Sequence, residues 1–231
     1  MYNFSLEKQL QEQASEFLGC KCLIVNGVTI HPKEIEVYYF EKGLFEDYTV
    51  HRNELQENHP NKFYVHRRGR DVNSSIIESN RGGCDFVISD KDGVYHSYLI
   101  RSIVIDGELI VGPSKSLKAI IQKTGLSYHE LEQTEVNVIA SKSTNDVFMT
   151  SRIGLGDSEL KDSKLYKESK LRFILCDEFF KQRDKKNVGY PKRTEAIDNY
   201  LRNKINLGTM TKEQAADYSK QWYGAVSKEF K

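Results

Sequence analysis

The sequence predicts an α+β fold, in which a sheet of short β-strands is flanked by helices. Strand-like segments recur through the first half of the chain, and the dipeptides Asn26-Gly27 and Asp92-Gly93 between them are hairpin signals. Helical periodicity appears near both ends of the chain. The 231 residues, which include 13 Tyr and 11 Phe, can bury a sizeable core, so global disorder is excluded.

Residues 1–175 are predicted to form one domain. An amphipathic helix is expected over residues 6–18 and should end at Gly19, because glycine commonly follows the last turn of a helix. A second helix should start within Gly112-Pro-Ser-Lys115, where the strand pattern breaks. Strands are expected over residues 22–25, 35–40, 63–65, 85–89, 95–105, 136–140 and 171–175, and loops over residues 41–62, 67–83 and 151–156.

Residues 176–231 are predicted to be a basic helical extension, packed on the first domain or appended to it. Helices are expected over residues 193–205 and 211–223. Thr211 is the expected N-cap of the second helix, and Glu213 lies in its first turn, where a carboxylate suits the helix dipole.

Charge is distributed unevenly along the chain, although the net charge is only +1. Residues 161–231 contain 17 Lys or Arg against 10 Asp or Glu, whereas the first 160 residues contain 17 against 23. A basic end behind an acidic body is compatible with contact to a polyanion, and equally with a solvated helix face.

Several classes of function have no support in the sequence. The four cysteines, at positions 20, 22, 84 and 176, form no Cys-x-x-Cys pair, and the glycine-rich nucleotide-binding, zinc-protease and nucleophile-elbow motifs are absent. No apolar run approaches the roughly 20 residues that span a bilayer. The chain start also lacks a secretory-signal pattern. We therefore expect a cytoplasmic protein without membrane contact, nucleoid-associated if it is bacterial.

Polar residues occur on predicted strands where a plain core strand would not carry them. In Glu34-Ile-Glu36-Val-Tyr38 the three polar residues alternate with apolar ones, so they share one face of the sheet. A carboxylate two residues before a tyrosine can act as a general base beside a stacking surface. The same pattern also suits the solvated outer face of an edge strand.

Arg101 lies inside Tyr98-Leu-Ile-Arg-Ser-Ile-Val104, the most apolar strand of the chain. A charge there needs a partner, because an unpaired buried guanidinium costs several kcal/mol. Arg101 therefore either forms a structural ion pair or lines a functional cavity. The same two alternatives apply to Asp85. The loop residues His51 and His66 lie close in sequence to these strands.

Six blocks in order resemble the alkyladenine (3-methyladenine, methylpurine) DNA glycosylase family over residues 14–175. The blocks are Ala14-Ser-Glu-Phe-Leu-Gly19, Glu34-Ile-Glu-Val-Tyr38, Tyr98-Leu-Ile-Arg-Ser102, Gly112-Pro-Ser-Lys115, Ser151-Arg-Ile-Gly-Leu-Gly156 and Leu171-Arg-Phe173. The resemblance implies a single, mainly antiparallel sheet of the formyltransferase C-terminal-domain type. It also implies hydrolysis of the N-glycosidic bond of an alkylated or damaged purine in DNA after base flipping, without a metal or cofactor.

The resemblance implies a role for each matching residue. Glu36 corresponds to the general base that activates water, and Arg101 to the arginine that supports the base and the water. His51 corresponds to the histidine that helps to hold the water, with His66 as its rival.

The remaining matches concern binding of the substrate. Tyr38 corresponds to the residue that stacks on the extruded base, where His66 and Asp85 would complete the pocket. Phosphate contacts are expected from Lys115, Arg67, Arg68 and Arg70 and from the basic C-terminal helices.

The chain departs from the family where an intercalating tyrosine is expected. No aromatic residue lies between Tyr64 and Phe86, and the pair Ile76-Ile77 is the candidate wedge. A weak wedge predicts a preference for loosely paired or single-stranded sites. Two other functions stay open, namely a non-catalytic nucleic-acid-binding relative and an N-glycoside hydrolase of single strands or nucleosides.

Overall fold

A computed structural model describes residues 2–67, 82–141, 146–156, 158–160, 162–175, 190–223 and 227–231. The helices are α1 (Phe4–Cys20), α2 (Pro113–Thr124), α3 (Tyr128–Gln133), α4 (Ser163–Glu168), α5 (Tyr190–Asn206) and α6 (Lys212–Tyr223), with a 3-10 turn at Glu54–Gln56. The strands are β1 (Lys21–Val25), β2 (Val28–Glu41), β3 (Phe45–Glu46), β4 (Phe63–Val65), β5 (Cys84–Val87), β6 (Val94–Ile105), β7 (Glu108–Val111), β8 (Asn137–Ala140), β9 (Val147–Thr150) and β10 (Arg172–Leu175). The predicted α+β class is confirmed.

Strand β2 is the centre of a curled, mainly antiparallel sheet. One of its edges pairs with β6 along most of its length, and the other pairs in turn with β1, β10 and β3. The main strand order is β4-β5-β6-β2-β1-β8, with β7 beside β6 and β9 beside β10. The register of β2 against β6 shifts between Pro32 and Ile35, where the partner on the other edge changes from β1 to β10.

The two faces of β2 have different chemistry. Ile35, Val37 and Tyr39 belong to the main apolar core, which also contains the buried face of α1. Because side chains alternate along a strand, Glu34, Glu36 and Tyr38 point to the opposite face. Helix α1 therefore covers the apolar face, and the polar face carries the predicted site residues.

The hairpin turn predicted at Asn26-Gly27 is confirmed. Asn26 and Gly27 adopt φ values of 46° and 78°, as a two-residue hairpin turn requires. Asp106 and Gly107, with φ values of 50° and 79°, make an equivalent turn between β6 and β7 that was not predicted. Its Asp-Gly signal was present in the sequence.

Besides the 3-10 turn, five short elements fall outside the predictions. Strand β3 interrupts a segment expected to be a loop, and β7, β9, α3 and α4 were also missed. Helix α3 contains one buried apolar residue, Leu131, and its start is fixed by a capping box between Ser127 and Glu130. The predicted end of α1 differs slightly from the observed one. The helix ends at Cys20, so Gly19 lies in its last turn and does not end it.

The C-terminal helices pack on the sheet through a second apolar core. Phe148 of β9 and Ile174 of β10 contact buried residues of the extension, which include Leu201 of α5 and Ala215 of α6. Helix α6 starts as predicted, because the Gln214 backbone N–H donates to Thr211 Oγ1 over 3.1 Å. None of the helices in the described ranges is long and apolar enough to cross a bilayer.

Leu201→Ala should lower the free energy of unfolding by about 2–5 kcal/mol, because Leu201 is 0% exposed and its truncation leaves a cavity between α5 and the sheet. Leu207→Ala is the matched control, since Leu207 is 75% exposed. Its effect should stay within about 0.5 kcal/mol. Chemical denaturation of both variants measures the difference, and equal small losses would mean that α5 is not anchored by this core.

Candidate active site

Four charged side chains form a buried cluster on the polar face of β2. Glu34 Oε1 accepts hydrogen bonds from Arg172 Nε over 2.9 Å and from Arg101 Nε over 3.1 Å. Arg172 Nη2 lies 2.7 Å from the same oxygen, and the Ser102 hydroxyl donates to Glu34 Oε2 over 3.1 Å. Glu36 Oε2 joins the cluster at 3.3 Å from Arg101 Nη1. Two carboxylates and two guanidinium groups thus balance in charge inside the protein.

Glu36 is fully buried and is held by three donors. Its Oε1 accepts from the backbone N–H of Ile153 over 3.0 Å, and its Oε2 accepts from the Tyr38 hydroxyl over 3.2 Å. The third donor is Arg101. These contacts fix the orientation of the carboxylate directly behind Tyr38. The contribution of the Ile153 backbone was not foreseen, because the block around Ser151 carried no assigned role.

The ring of Tyr38 rests on a buried guanidinium. Arg152 Cζ lies 4.8 Å from the ring centroid, and Arg152 Nη1 lies 2.6 Å from Asp47 Oδ2. The carbonyl oxygens of Val37 and Tyr166 accept further bonds from Arg152, over 3.1 and 2.9 Å. Burial, and then the charge of Glu36, raise the pKa of Tyr38. Its hydroxyl therefore stays protonated and can donate to Glu36.

An open cleft of about 1280 Å³ collects most of the predicted pocket residues. Tyr38, His51, His66 and Asp85 all line it. Glu36 and Arg101 do not line the cleft and lie behind Tyr38. Aromatic and basic side chains absent from the sequence prediction complete its walls, and these are Phe40, Tyr48, Tyr95, Lys42 and Arg52. Within the described residues, no group of three or more His, Cys, Asp or Glu side chains is arranged to hold a metal ion.

Asp85 is the centre of a buried polar network at one side of the cleft. His66 Nε2 lies 2.7 Å from Asp85 Oδ1, while Gln56 Nε2 and the Ser97 hydroxyl donate to Oδ2 over 2.7 and 3.1 Å. Burial alone would raise the pKa of Asp85, but the charge and hydrogen bond of His66 outweigh it and lower that pKa. Asp85 therefore fixes the position of His66. The buried Gln56 was missed, although Asn53-x-x-Gln56 is a readable capping box.

Both candidate histidines face the same cleft. The ring centroids of His51 and His66 are 4.9 Å apart, and His51 Nδ1 lies 3.1 Å from the Tyr64 hydroxyl. Each ring is thus held by a separate partner, His66 by Asp85 and His51 by Tyr64. His51 and His66 therefore both line the candidate pocket.

Arg67, which was expected to contact phosphate, forms a buried ion pair in the structure. Its Nη1 and Nη2 atoms lie 2.6 and 2.7 Å from the two carboxylate oxygens of Glu132, and its side chain is 4% exposed. The guanidinium is therefore committed to a buried ion pair with α3. Lys115 is exposed in the first turn of α2. Residues 68–81, which include Arg68, Arg70 and the wedge candidate Ile76-Ile77, lie outside the described residues.

Arg67→Ala should lower the free energy of unfolding by about 3–5 kcal/mol, because it leaves the Glu132 carboxylate buried without its cation. The double variant Arg67→Met/Glu132→Gln should recover most of the loss, since Gln keeps an acceptor for the Val65 N–H. Denaturant titration measures both. A stable Arg67→Ala protein with a shallower salt dependence of DNA binding would restore the phosphate role.

Asp85→Asn should destabilise the protein at pH 7 and less so in acid. Because the folded pKa of Asp85 lies below the unfolded one, its carboxylate contributes stability above about pH 4. That contribution is lost as the pH falls through the folded pKa. Unfolding free energies measured from pH 7 downward should therefore converge for the variant and the wild type. Asp217→Asn, at an exposed position of α6, is the control, and a constant gap for Asp85→Asn would contradict the prediction.

Comparison of the chain with protein-family models and with curated protein sequences gave no match. The resemblance to the alkyladenine glycosylases therefore rests on the ordered sequence blocks. The chemistry of the site has to be inferred from the geometry around Glu36, Tyr38 and the two histidines.

Proposed function

We propose that the cleft hydrolyses the N-glycosidic bond of an alkylated or otherwise damaged purine in DNA, acting on a nucleotide turned out of the strand. In this proposal the sheet is of the formyltransferase C-terminal-domain type found in the alkyladenine glycosylases. One observation carries the proposal. A carboxylate fixed by three donors lies directly behind a tyrosine that lines a cleft shared with two histidines.

In the proposed reaction the damaged base stacks on Tyr38, with His51 and His66 opposite or beside it. A water replaces the Tyr38 hydroxyl as the partner of Glu36 Oε2, which the 3.2 Å length of that hydrogen bond favours. Glu36 takes a proton from this water while the oxygen attacks the anomeric carbon, and the base leaves with the bonding electrons. The Glu36 charge also stabilises the oxocarbenium-like transition state.

The burial of Glu36 favours a second candidate, a non-catalytic relative that binds unusual bases. Its side chain is 0% exposed, and all three donors around it are protein groups. In this alternative, Glu36 serves only to hold Tyr38 and the loop containing Ile153 in place. The cleft would then bind a base without cleaving its bond to the sugar.

Glu36→Gln should lower the excision rate about 10²–10⁴-fold, because the amide keeps the shape of the side chain but cannot accept a proton from water. Binding of the damaged DNA should change little. The assay measures release of alkylated purines from a labelled duplex, with the matching single strand alongside. Glu12→Gln, at an exposed site on α1, serves as the control and should excise at the wild-type rate.

Two outcomes would contradict the assignment. Excision by Glu36→Gln at the wild-type rate would show that another group activates the water. No excision by the wild type, together with tight binding that needs Tyr38, would replace the hydrolase with the base-binding relative.

A further inference from the structure

A second groove opens beside the cleft, between the loop at Ser151–Gly156 and helix α4. Its volume is about 590 Å³, roughly that of 20 water molecules in the liquid. It is thus much larger than a single phosphate group and has room for part of a nucleotide chain. Tyr48, Gly154, Leu155 and Ser158 line both spaces. The α4 groove, as we name it, therefore lies directly beside the cleft.

Positive charge dominates the walls of the α4 groove. Lys164 and Lys167 line it from α4, three residues apart and hence on one side of the helix. Glu168 is the one acidic residue among the described lining residues. It lies 3.9 Å from Lys164, but both side chains are more than 60% exposed, at 63% and 83%. Such an exposed pair is weak, so Lys164 can exchange Glu168 for another anion.

The floor of the α4 groove adds a buried donor. Arg152 lines the groove, and its side chain is 0% exposed. Its Nη atoms bind Asp47 and backbone carbonyl groups, whereas its Nε atom is buried without a hydrogen-bond partner. Buried donors in proteins are rarely left unpaired.

The same loop also serves the candidate general base. The backbone N–H of Ile153 donates to Glu36 Oε1, and Ile153 lines the α4 groove. A ligand held in the groove is therefore next to the residue whose backbone N–H orients Glu36. Binding of a ligand in the α4 groove and the orientation of the Glu36 carboxylate therefore involve the same short segment of chain around Ile153.

We propose that the α4 groove binds a phosphodiester of the nucleic-acid strand, next to the nucleotide whose base enters the cleft. This inference rests on the proposed function and names its missing strand-binding site. Lys164 and Lys167 supply the ammonium groups that phosphate oxygens require. Because Tyr48 lines both spaces, the groove and the cleft are close enough for one strand to occupy them together. The site also distinguishes a nucleic-acid strand from a free nucleoside, which carries no phosphate.

The test uses the double variant Lys164→Gln/Lys167→Gln and an undamaged five-nucleotide single strand, so binding is measured without cleavage. Loss of two phosphate contacts should reduce the slope of log affinity against log salt by about 1.4, since each contact contributes about 0.7 on single strands. Affinity at low salt should fall roughly tenfold. Lys8→Gln/Lys123→Gln is the matched control, because both lysines are exposed, each pairs with one carboxylate and neither lines the groove.

A nucleoside monophosphate provides the second arm of the test. Its affinity should change less than twofold in Lys164→Gln/Lys167→Gln, because the proposed ligand is a diester outside the base-binding cleft. Equal loss for the monophosphate would mean a monoester site and would overturn the strand assignment. Equal slopes for both double variants would show that the lysines add only general charge, which also overturns it.

Failure of this inference is separable from failure of the proposed function. If the α4 groove variant binds the strand weakly while the wild type excises no base, the groove assignment survives and the hydrolase does not. If the wild type excises damaged purines and the variant keeps the full salt slope, the hydrolase survives and the groove assignment does not.

Discussion

The buried ion cluster around Glu34 is the constraint on which the site depends. Removing one member from such a cluster leaves a buried charge uncompensated, which costs about 3–5 kcal/mol. The cluster closes only when β10 brings Arg172 beside β2 and β6 brings Arg101 to its other edge. Its charge balance therefore fixes the order and register of three strands. This arrangement also determines where Glu36 and Tyr38 lie, because they follow Glu34 on the same face of β2.

The C-terminal helices belong to the same face of the sheet. Phe148 lies two residues from Thr150 along β9, and Ile174 two residues from Arg172 along β10, so all four side chains point to the side that carries the ion cluster. Helices α5 and α6 pack on these two apolar residues. The basic end of the chain is thus attached on the side of the sheet that carries the candidate site, whereas α1 occupies the other side. Apolar packing, and not charge alone, explains how the extension is held.

Period-two alternation and hairpin dipeptides predicted much of this protein from sequence, because both are local signals. They placed Glu36 and Tyr38 on one face of a strand and predicted the turn at Asn26-Gly27. The ion-pair partners of the buried charged residues could not be predicted, because they are distant in sequence. Glu132, for example, is 65 residues from Arg67. Arg67 was assigned to solvent and phosphate for that reason. Short elements such as α3 were missed because one turn of helix carries too few apolar residues to show a period.

The pairing of Glu34 with Arg172 has a consequence for the order of folding. The two residues are 138 positions apart, and the strands that carry them are direct neighbours in the sheet. Contacts of such long range form late, because the entropy of closing the intervening loop is lost before the contact gives any return. A chain that has emerged only through β8 lacks the strand that pairs with β2 at Glu34–Glu36, so Glu34 then lies at an open edge of the sheet. Glu34 therefore gains its ion pair with Arg172 only after β10 has docked, so this part of the candidate site is among the last parts of the molecule to become ordered.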